Sequence, residues 1–171
     1  VGREPNLELM PKPEQRDLLR RRLQYFRNTK PILLADFWND GPIVGGCLAA
    51  GRRYLHINAN GDIEPCVFAH YAVDNIHNTT MLQALQSKLF TTVKERLASG
   101  GNLYRPCMLI DRPEVWREAV FSSNAKPTHE GAETLVTTLA KPMDNYTDGY
   151  GKFADPAWEE HSGEKTEKKI A

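Results

Sequence analysis

The chain has 171 residues, with 22 basic and 22 acidic side chains and no formal net charge. That length supports one domain with a real core, and 40% apolar with 26% charged residues fits a soluble globular protein. Zero net charge gives no bulk electrostatic support for nucleic-acid or anionic-membrane binding, no apolar run approaches the ~20 residues that cross a bilayer, and no secretory signal is visible. The cysteine count is odd, Cys47, Cys66 and Cys107. It does not suggest a disulfide framework, so the expected setting is reducing and cytoplasmic. The opening text VGREPN reads like the inside of a loop, which implies a longer protein whose N-terminal part is absent.

Pro13 suits the first turn of a helix, and Leu18, Leu19, Leu23 and Phe26 recur at helical spacing to about Asn28. The run Arg20-Arg21-Arg22 reads as a solvated face of that helix. Lys30-Pro31 ends it, and PILLADFW (31–38) predicts a short buried strand. NDGPIVGG (39–46) is a glycine-rich loop that delivers Cys47. RRYLHIN (52–58) alternates, NANGD (58–62) is a strong turn signal, and IEPCVF (63–68) is the return strand of a hairpin. Pro65 within that strand predicts an edge or a bulge that tilts Cys66 out of the ladder, and Gly61 should adopt a positive φ. Thr79 or Thr80 can cap a helix containing MLQALQ, followed by a bend near Ser87 and a second helix at about 88–98 that SGGN (99–102) ends. Asp111, with Pro113 and Glu114, looks like the start of a helix running to about Ser122. Thr128 is placed to cap a helix at 129–140; after Pro142 the text turns loop-like, and the charged end HSGEKTEKKIA predicts a frayed tail.

Chemistry concentrates at the cysteines. Each sits beside a turn or breaker residue: Gly45-Gly46 before Cys47, Pro65 before Cys66 and Pro106 before Cys107. None lies in a helical apolar stripe. Thiolates are soft ligands that suit zinc, copper(I) or iron–sulfur clusters, while free cysteine is also a common core residue. A zinc site wants four protein ligands and would recruit His70, giving a non-catalytic, zinc-stabilised interaction module. An iron–sulfur cluster normally takes four thiolates, so three would leave one iron open to another ligand. Elsewhere, Asp36, Asn39 and Asp40 follow the predicted strand, where they could act on a substrate or cap a turn. Arg52 and Arg53 could meet a carboxylate or phosphate or lie on an exposed face. His56 reads as a packed sheet residue, and Trp38, Trp116 and Trp158 as core or lid aromatics.

The pattern Cys47-x13-Gly61-x4-Cys66 with a later cysteine resembles the auxiliary-cluster motif of the radical S-adenosylmethionine superfamily, in the SPASM or shortened Twitch form. The segment HINANGDIEPCVFAHYAVDNI (56–76), leading into MLQALQSKLF, is similar to those regions in detail, and the likeness covers about residues 31–122. The resemblance implies that Cys47, Cys66 and Cys107 bind one auxiliary 4Fe–4S cluster, with substrate, water, His70 or Asp111 as fourth ligand. It implies a redox enzyme whose partial (β/α) barrel binds S-adenosylmethionine and a second 4Fe–4S cluster through C-x-x-x-C-x-x-C. This text lacks that motif, so the chain alone should be inactive, and its partners would be the N-terminal barrel of the same protein and an unknown substrate. The second, cysteine-rich half of a full SPASM region is also missing, which implies one auxiliary cluster rather than two. The expected fold is α+β: a small antiparallel hairpin unit with surrounding helices, preceded by the last helix and strand of the barrel. The corresponding division is 1–40 for the end of the barrel, 41–122 for the cluster domain, and 123–171 for a helical extension with a charged tail.

Overall fold

The computed structural model describes residues 5–98 and 100–170, with side chains through Gly163. Val1 to Glu4 and Ser99, on which parts of two expectations rest, lie outside the described residues, as do the side chains of the charged tail from 164 onward. The fold mixes helices with small antiparallel sheets, as the α+β expectation has it. No helix among the described residues is long and apolar enough to cross a membrane.

A short 3-10 turn (Leu7–Leu9) precedes α1 (Pro13–Thr29). Pro13 takes the first helical position, where its missing N–H costs nothing, and the Lys12 N–H donates to the Gln15 side chain at 2.8 Å. The buried face of α1 is not the apolar one. Arg16, Asp17 and Arg20 are buried, while Leu18, Leu19 and Phe26 are exposed. Buried charge is tolerated only when paired. Arg16 is bound to the buried Asp111 carboxylate and lies 3.9 Å over the Tyr150 ring. Arg20 reaches Asp17 at 2.7 Å and lies 4.5 Å over the Tyr104 ring. Arg20 is therefore an interior side chain, not part of a solvated arginine face.

Residues 31–38 do not form the expected strand. A strand needs a hydrogen-bonded neighbour for its backbone, and here side chains take that role. Arg27 donates to the Leu34 carbonyl at 2.6 Å, and Asp36 Oδ1 accepts from the N–H groups of Trp38 and Asn39 at 2.9 and 3.2 Å. Ile32 and Leu33 are 56 and 96% exposed. The helix expected from about residue 13 to 28 is present and the strand expected over 31–38 is not. The following loop contains one turn of helix, α2 (Gly41–Val44), closed by Gly45 in the left-handed region.

The hairpin is β1 (His56–Ile57) with β2 (Ile63–Glu64), antiparallel and in register His56 to Glu64. Gly61 has the positive φ its turn requires, +85°, and packs so closely on Asn75 and Ile76 that a Cβ would lie 2.9 Å from Ile76 Cγ1. The return strand ends at Glu64, because Pro65 has no N–H to continue it; Cys66 then opens a tight loop in which the Ala69 N–H donates to its carbonyl at 2.9 Å. A second sheet pairs β3 (Tyr71–Ala72) with β4 (Lys126–Pro127).

Thr80 caps α3 (Met81–Leu85) with a reciprocal bond from Gln83, and α4 (Lys88–Ala98) follows after the bend at Ser87. α4 packs on α5 (Pro113–Ser123), with Leu89, Phe90, Val93, Trp116, Ala119 and Val120 in the main core. Three expectations fail in the C-terminal part. Asp111 does not cap α5, since its carboxylate is taken by Arg16. The helix over 129–140 is only a 3-10 turn, Ala132–Val136, and the Thr128 hydroxyl bonds Glu64 instead of capping it. The loop after Pro142 is α6 (Ala140–Ile170). Pro142 lies in its first turn, where no intrahelical donor is required. Gly149 and Gly151 let α6 approach Pro13 and Arg105 closely, and the buried Met143, Tyr150 and Ala154 hold it down. Tertiary packing outweighs the weak local helix propensity of this text.

Candidate metal centre

Cys47, Cys66 and Cys107 stand on three separate loops and line one small cavity, with Phe37, Trp38, Tyr54, Phe68 and Pro106. Each loop is fixed from outside that cavity. Arg52 donates to the carbonyls of Cys47, Val44 and Gly46 at 2.6, 2.7 and 3.1 Å, so it clamps the first loop. The Ala50 N–H donates to the Pro65 carbonyl at 2.8 Å and ties the first loop to the second. Around Cys107 the chain closes on itself: its N–H donates to Asp111 Oδ2 at 3.0 Å, and its carbonyl accepts from the N–H groups of Asp111 and Arg112. Gly41 joins the first and third loops, since a Cβ there would stand 2.0 Å from the Leu103 carbonyl oxygen.

Cys66 is buried, Cys47 and Cys107 are partly buried, and their sulfurs are supplied with donors. The Tyr54 hydroxyl is 2.8 Å from Cys66 Sγ, and the Leu109 N–H donates to Cys107 Sγ at 3.4 Å. Burial pushes all three thiols above their ordinary range. Opposing it, the thiolate form is favoured by the N–H groups of Ala49 and Met108 at Cys47, by Tyr54 and the Phe68 N–H at Cys66, and by the N–H groups of Ile110 and Leu109 at Cys107. Burial, reinforced by Cys66, also pushes the Tyr54 hydroxyl upward. A bound metal must therefore displace protons from these thiols.

The donor set fits an iron–sulfur cluster: three soft ligands, an apolar wall and N–H groups directed at sulfur. Among the described residues, no three His, Cys, Asp or Glu side chains converge on a single metal ion. Cluster thiolates attach to different irons, so they surround a volume rather than a point.

The two protein side chains considered as fourth ligands have other partners. His70 Nδ1 is 3.7 Å from the Glu64 carboxylate, and its ring packs on His129 at 4.1 Å. Asp111 is held by Arg16 and by the Cys107 N–H. Asp36, Asn39 and Asp40 form a turn network: Asn39 Nδ2 donates to Asp36 at 2.8 Å, Asp40 accepts the Asp36 N–H, and Arg27 pairs with Asp40. Arg53 is exposed. Trp116 is core, Trp158 packs on Tyr104, and Trp38 stacks on Phe68 at 6.4 Å beside the cysteine cavity.

Sequence reasoning did not single out Tyr54, Phe68 or Glu64. Tyr54 could have been found, since strand alternation puts it on one face with His56. Glu64 is 1% exposed and takes His56 Nδ1 at 2.7 Å as well as the Thr128 hydroxyl. Burial works to raise its carboxyl, but the hydrogen bonds from His70, Thr128 and His56 prevail and hold it below its ordinary value. This buried carboxylate pins the hairpin to the strand pair β3–β4. Its partners lie far along the chain, so no local pattern announces them.

No curated protein and no solved structure matches the chain. The family model for SPASM, an iron–sulfur cluster-binding domain, matches residues 47–109, a span that includes all three cysteines.

Proposed function

We propose that this chain is the auxiliary-cluster region of a radical S-adenosylmethionine enzyme, with Cys47, Cys66 and Cys107 holding one 4Fe–4S cluster. The observation that carries the reading is that three cysteines spread over sixty residues line a single cavity inside the segment matched as iron–sulfur cluster-binding. When bound, such a cluster supplies one-electron transfer and one iron open to a further ligand. The chain's own residues fix the three sulfurs, keep water from them with Phe37, Trp38 and Phe68, and aim N–H groups at them.

In this reading S-adenosylmethionine and a second cluster bind to a barrel elsewhere in the same protein. The apolar surface of α1 and of residues 31–43 supports a covering body: Leu18, Leu19, Tyr25, Ile32, Leu33, Phe37 and Ile43 are all exposed. So many exposed large apolar side chains in two neighbouring stretches of chain are what a covering body would bury.

Anaerobic reconstitution with iron and sulfide tests the proposal. The expected result is about four irons and four sulfides per chain, with visible charge-transfer absorbance that Cys66→Ala abolishes. Equimolar zinc without sulfide would replace the reading with a zinc-stabilised module. Complete folding with no metal taken up would leave the cysteines as packing residues.

A further inference from the structure

Among the described residues that line the cysteine cavity, Tyr54 brings the one hydroxyl. Its backbone belongs to the loop that carries Cys47: the Tyr54 N–H donates to the Leu48 carbonyl at 3.3 Å, and the Tyr54 carbonyl accepts from the Gly51 N–H at 2.9 Å. Its ring meets Phe37 edge-on, with centroids 6.5 Å apart. The hydroxyl crosses from this loop to the next and ends 2.8 Å from Cys66 Sγ. The other two sulfurs take backbone donors, Cys107 from the Leu109 N–H at 3.4 Å and Cys47 from the N–H groups of Ala49 and Met108. Cys66 thus has a side-chain donor in addition to the Phe68 N–H. While Cys66 is a thiol, either it or Tyr54 can donate in this contact. A metal-bound cysteine is a thiolate with no proton, so the hydroxyl must then be the donor.

Hydrogen bonds to the sulfurs are one of the protein's means of setting a cluster's reduction potential. The added electron makes the thiolate sulfurs more negative, so a donor stabilises the reduced form more than the oxidised one. Cys66 is 9% exposed, and in such surroundings little water competes for its sulfur. We propose that Tyr54 raises the reduction potential of the cluster held by Cys47, Cys66 and Cys107, by donating its O–H to the Cys66 thiolate. The electron comes from an external one-electron donor, the phenol keeps its proton, and no bond forms between Tyr54 and iron. Tyr54 therefore acts through Cys66 and is not a fourth ligand. The inference rests on the cluster reading above and adds to it the residue that tunes the centre.

The test compares the full chain with Tyr54→Phe, both reconstituted anaerobically, with iron and sulfide counted in each sample. The substitution removes one oxygen and leaves the ring on Phe37, so both chains should carry the same cluster. Redox titration at constant pH, with an electrode as electron source, is followed through the visible charge-transfer absorbance. At any fixed potential the reduced-to-oxidised ratio should be about tenfold lower in Tyr54→Phe, which for a one-electron couple is a midpoint about 59 mV more negative. Resonance Raman spectra supply a readout that needs no variant of altered stability. Transfer of the parent chain to D₂O should shift an iron–cysteine stretching band, and part of that shift should vanish in Tyr54→Phe. A ratio that changes by less than about twofold, or a parent spectrum indifferent to D₂O, would overturn the inference. So would a tyrosinate-to-iron band in the parent, or loss of iron from Tyr54→Phe, since either would make Tyr54 a ligand. Equal cluster content with equal midpoints sinks this inference alone. A parent chain that takes up no cluster sinks the cluster reading, and this inference with it.

Discussion

Asp111→Asn tests the centre of the structure most directly. The Asp111 carboxylate is 1% exposed and accepts from both terminal nitrogens of Arg16, itself 3% exposed, and from the Cys107 N–H. The asparagine keeps the volume but removes the charge, and its NH₂ must face one of these donors. Leaving one member of a buried ion pair unmatched costs about 3–5 kcal/mol. That is a large part of the ~5–15 kcal/mol that holds a domain of this size folded. With a urea slope of about 2 kcal/mol/M, the unfolding midpoint should fall by roughly 1.5–2.5 M. Urea titration followed by circular dichroism measures this, and iron retention in the same variant should drop because the Cys107 loop loses its closing bond. The double variant Arg16→Met with Asp111→Leu should recover more than half of the lost stability, since it removes both charges. A midpoint shift below about 0.5 M, or a double variant no better than the single one, would refute the buried pair as described.

Gly41→Ala places a Cβ 2.0 Å from the Leu103 carbonyl oxygen, so the Cys107 loop must retreat from the Cys47 loop. A loss of about 1–3 kcal/mol in urea unfolding is expected, together with weaker iron retention. Gly61→Val should cost at least as much, because it combines a positive φ of 85° with a 2.9 Å approach to Ile76, and thermal melting reads it. Tyr150 is fully buried with a hydroxyl that has no partner among the described residues, and burial pushes its phenol up from 10 to about 12. Ionisation is disfavoured in the folded state, so its contribution is complete below pH 10 and is lost as pH rises from 10 to about 12. Tyr150→Phe should match or exceed the parent's stability at pH 7 and lose less of it over that window; parallel urea curves at pH 7 and pH 11 check both halves.

The hairpin, its glycine turn, the proline interruption before Cys66 and the Thr80 cap were legible because local rules decide them. Gly61 needs its φ whatever surrounds it, and Pro65 cannot donate in any fold. α1 was legible as a helix but not in its orientation. The rule that apolar stripes face inward assumes that the partner is within the same chain segment, and here Arg16 and Arg20 find Asp111, Tyr150 and Tyr104 instead. PILLADFW carries strand composition, but composition does not supply a neighbouring strand. α6 was illegible for the opposite reason: its prolines and glycines argue against a helix locally, and the close packing that accounts for Gly149 and Gly151, on Pro13 and Arg105, is tertiary. At the cysteines, spacing and flanking breakers pointed to a shared centre. The Tyr54 contact and the clamps through Arg52 and Asp111 depend on pairings that sequence periodicity does not encode.

The supports of the three sulfur loops share one property. Arg52 acts through backbone carbonyls, Asp111 through an amide N–H and Arg16, and Gly41 through close backbone approach; none of them offers a side-chain donor to the space between the sulfurs. α4 and α5 contribute no cysteine, but Cys66 belongs to the same buried core and Cys47 and Cys107 pack against it. A centre organised in this way differs from a zinc finger, in which metal binding and folding are one event. Each loop has protein contacts of its own, and on the proposed reading a cluster would have to displace protons from thiols that burial pushes upward. Cluster loss would then change the protonation and chemistry of the cavity more than its shape.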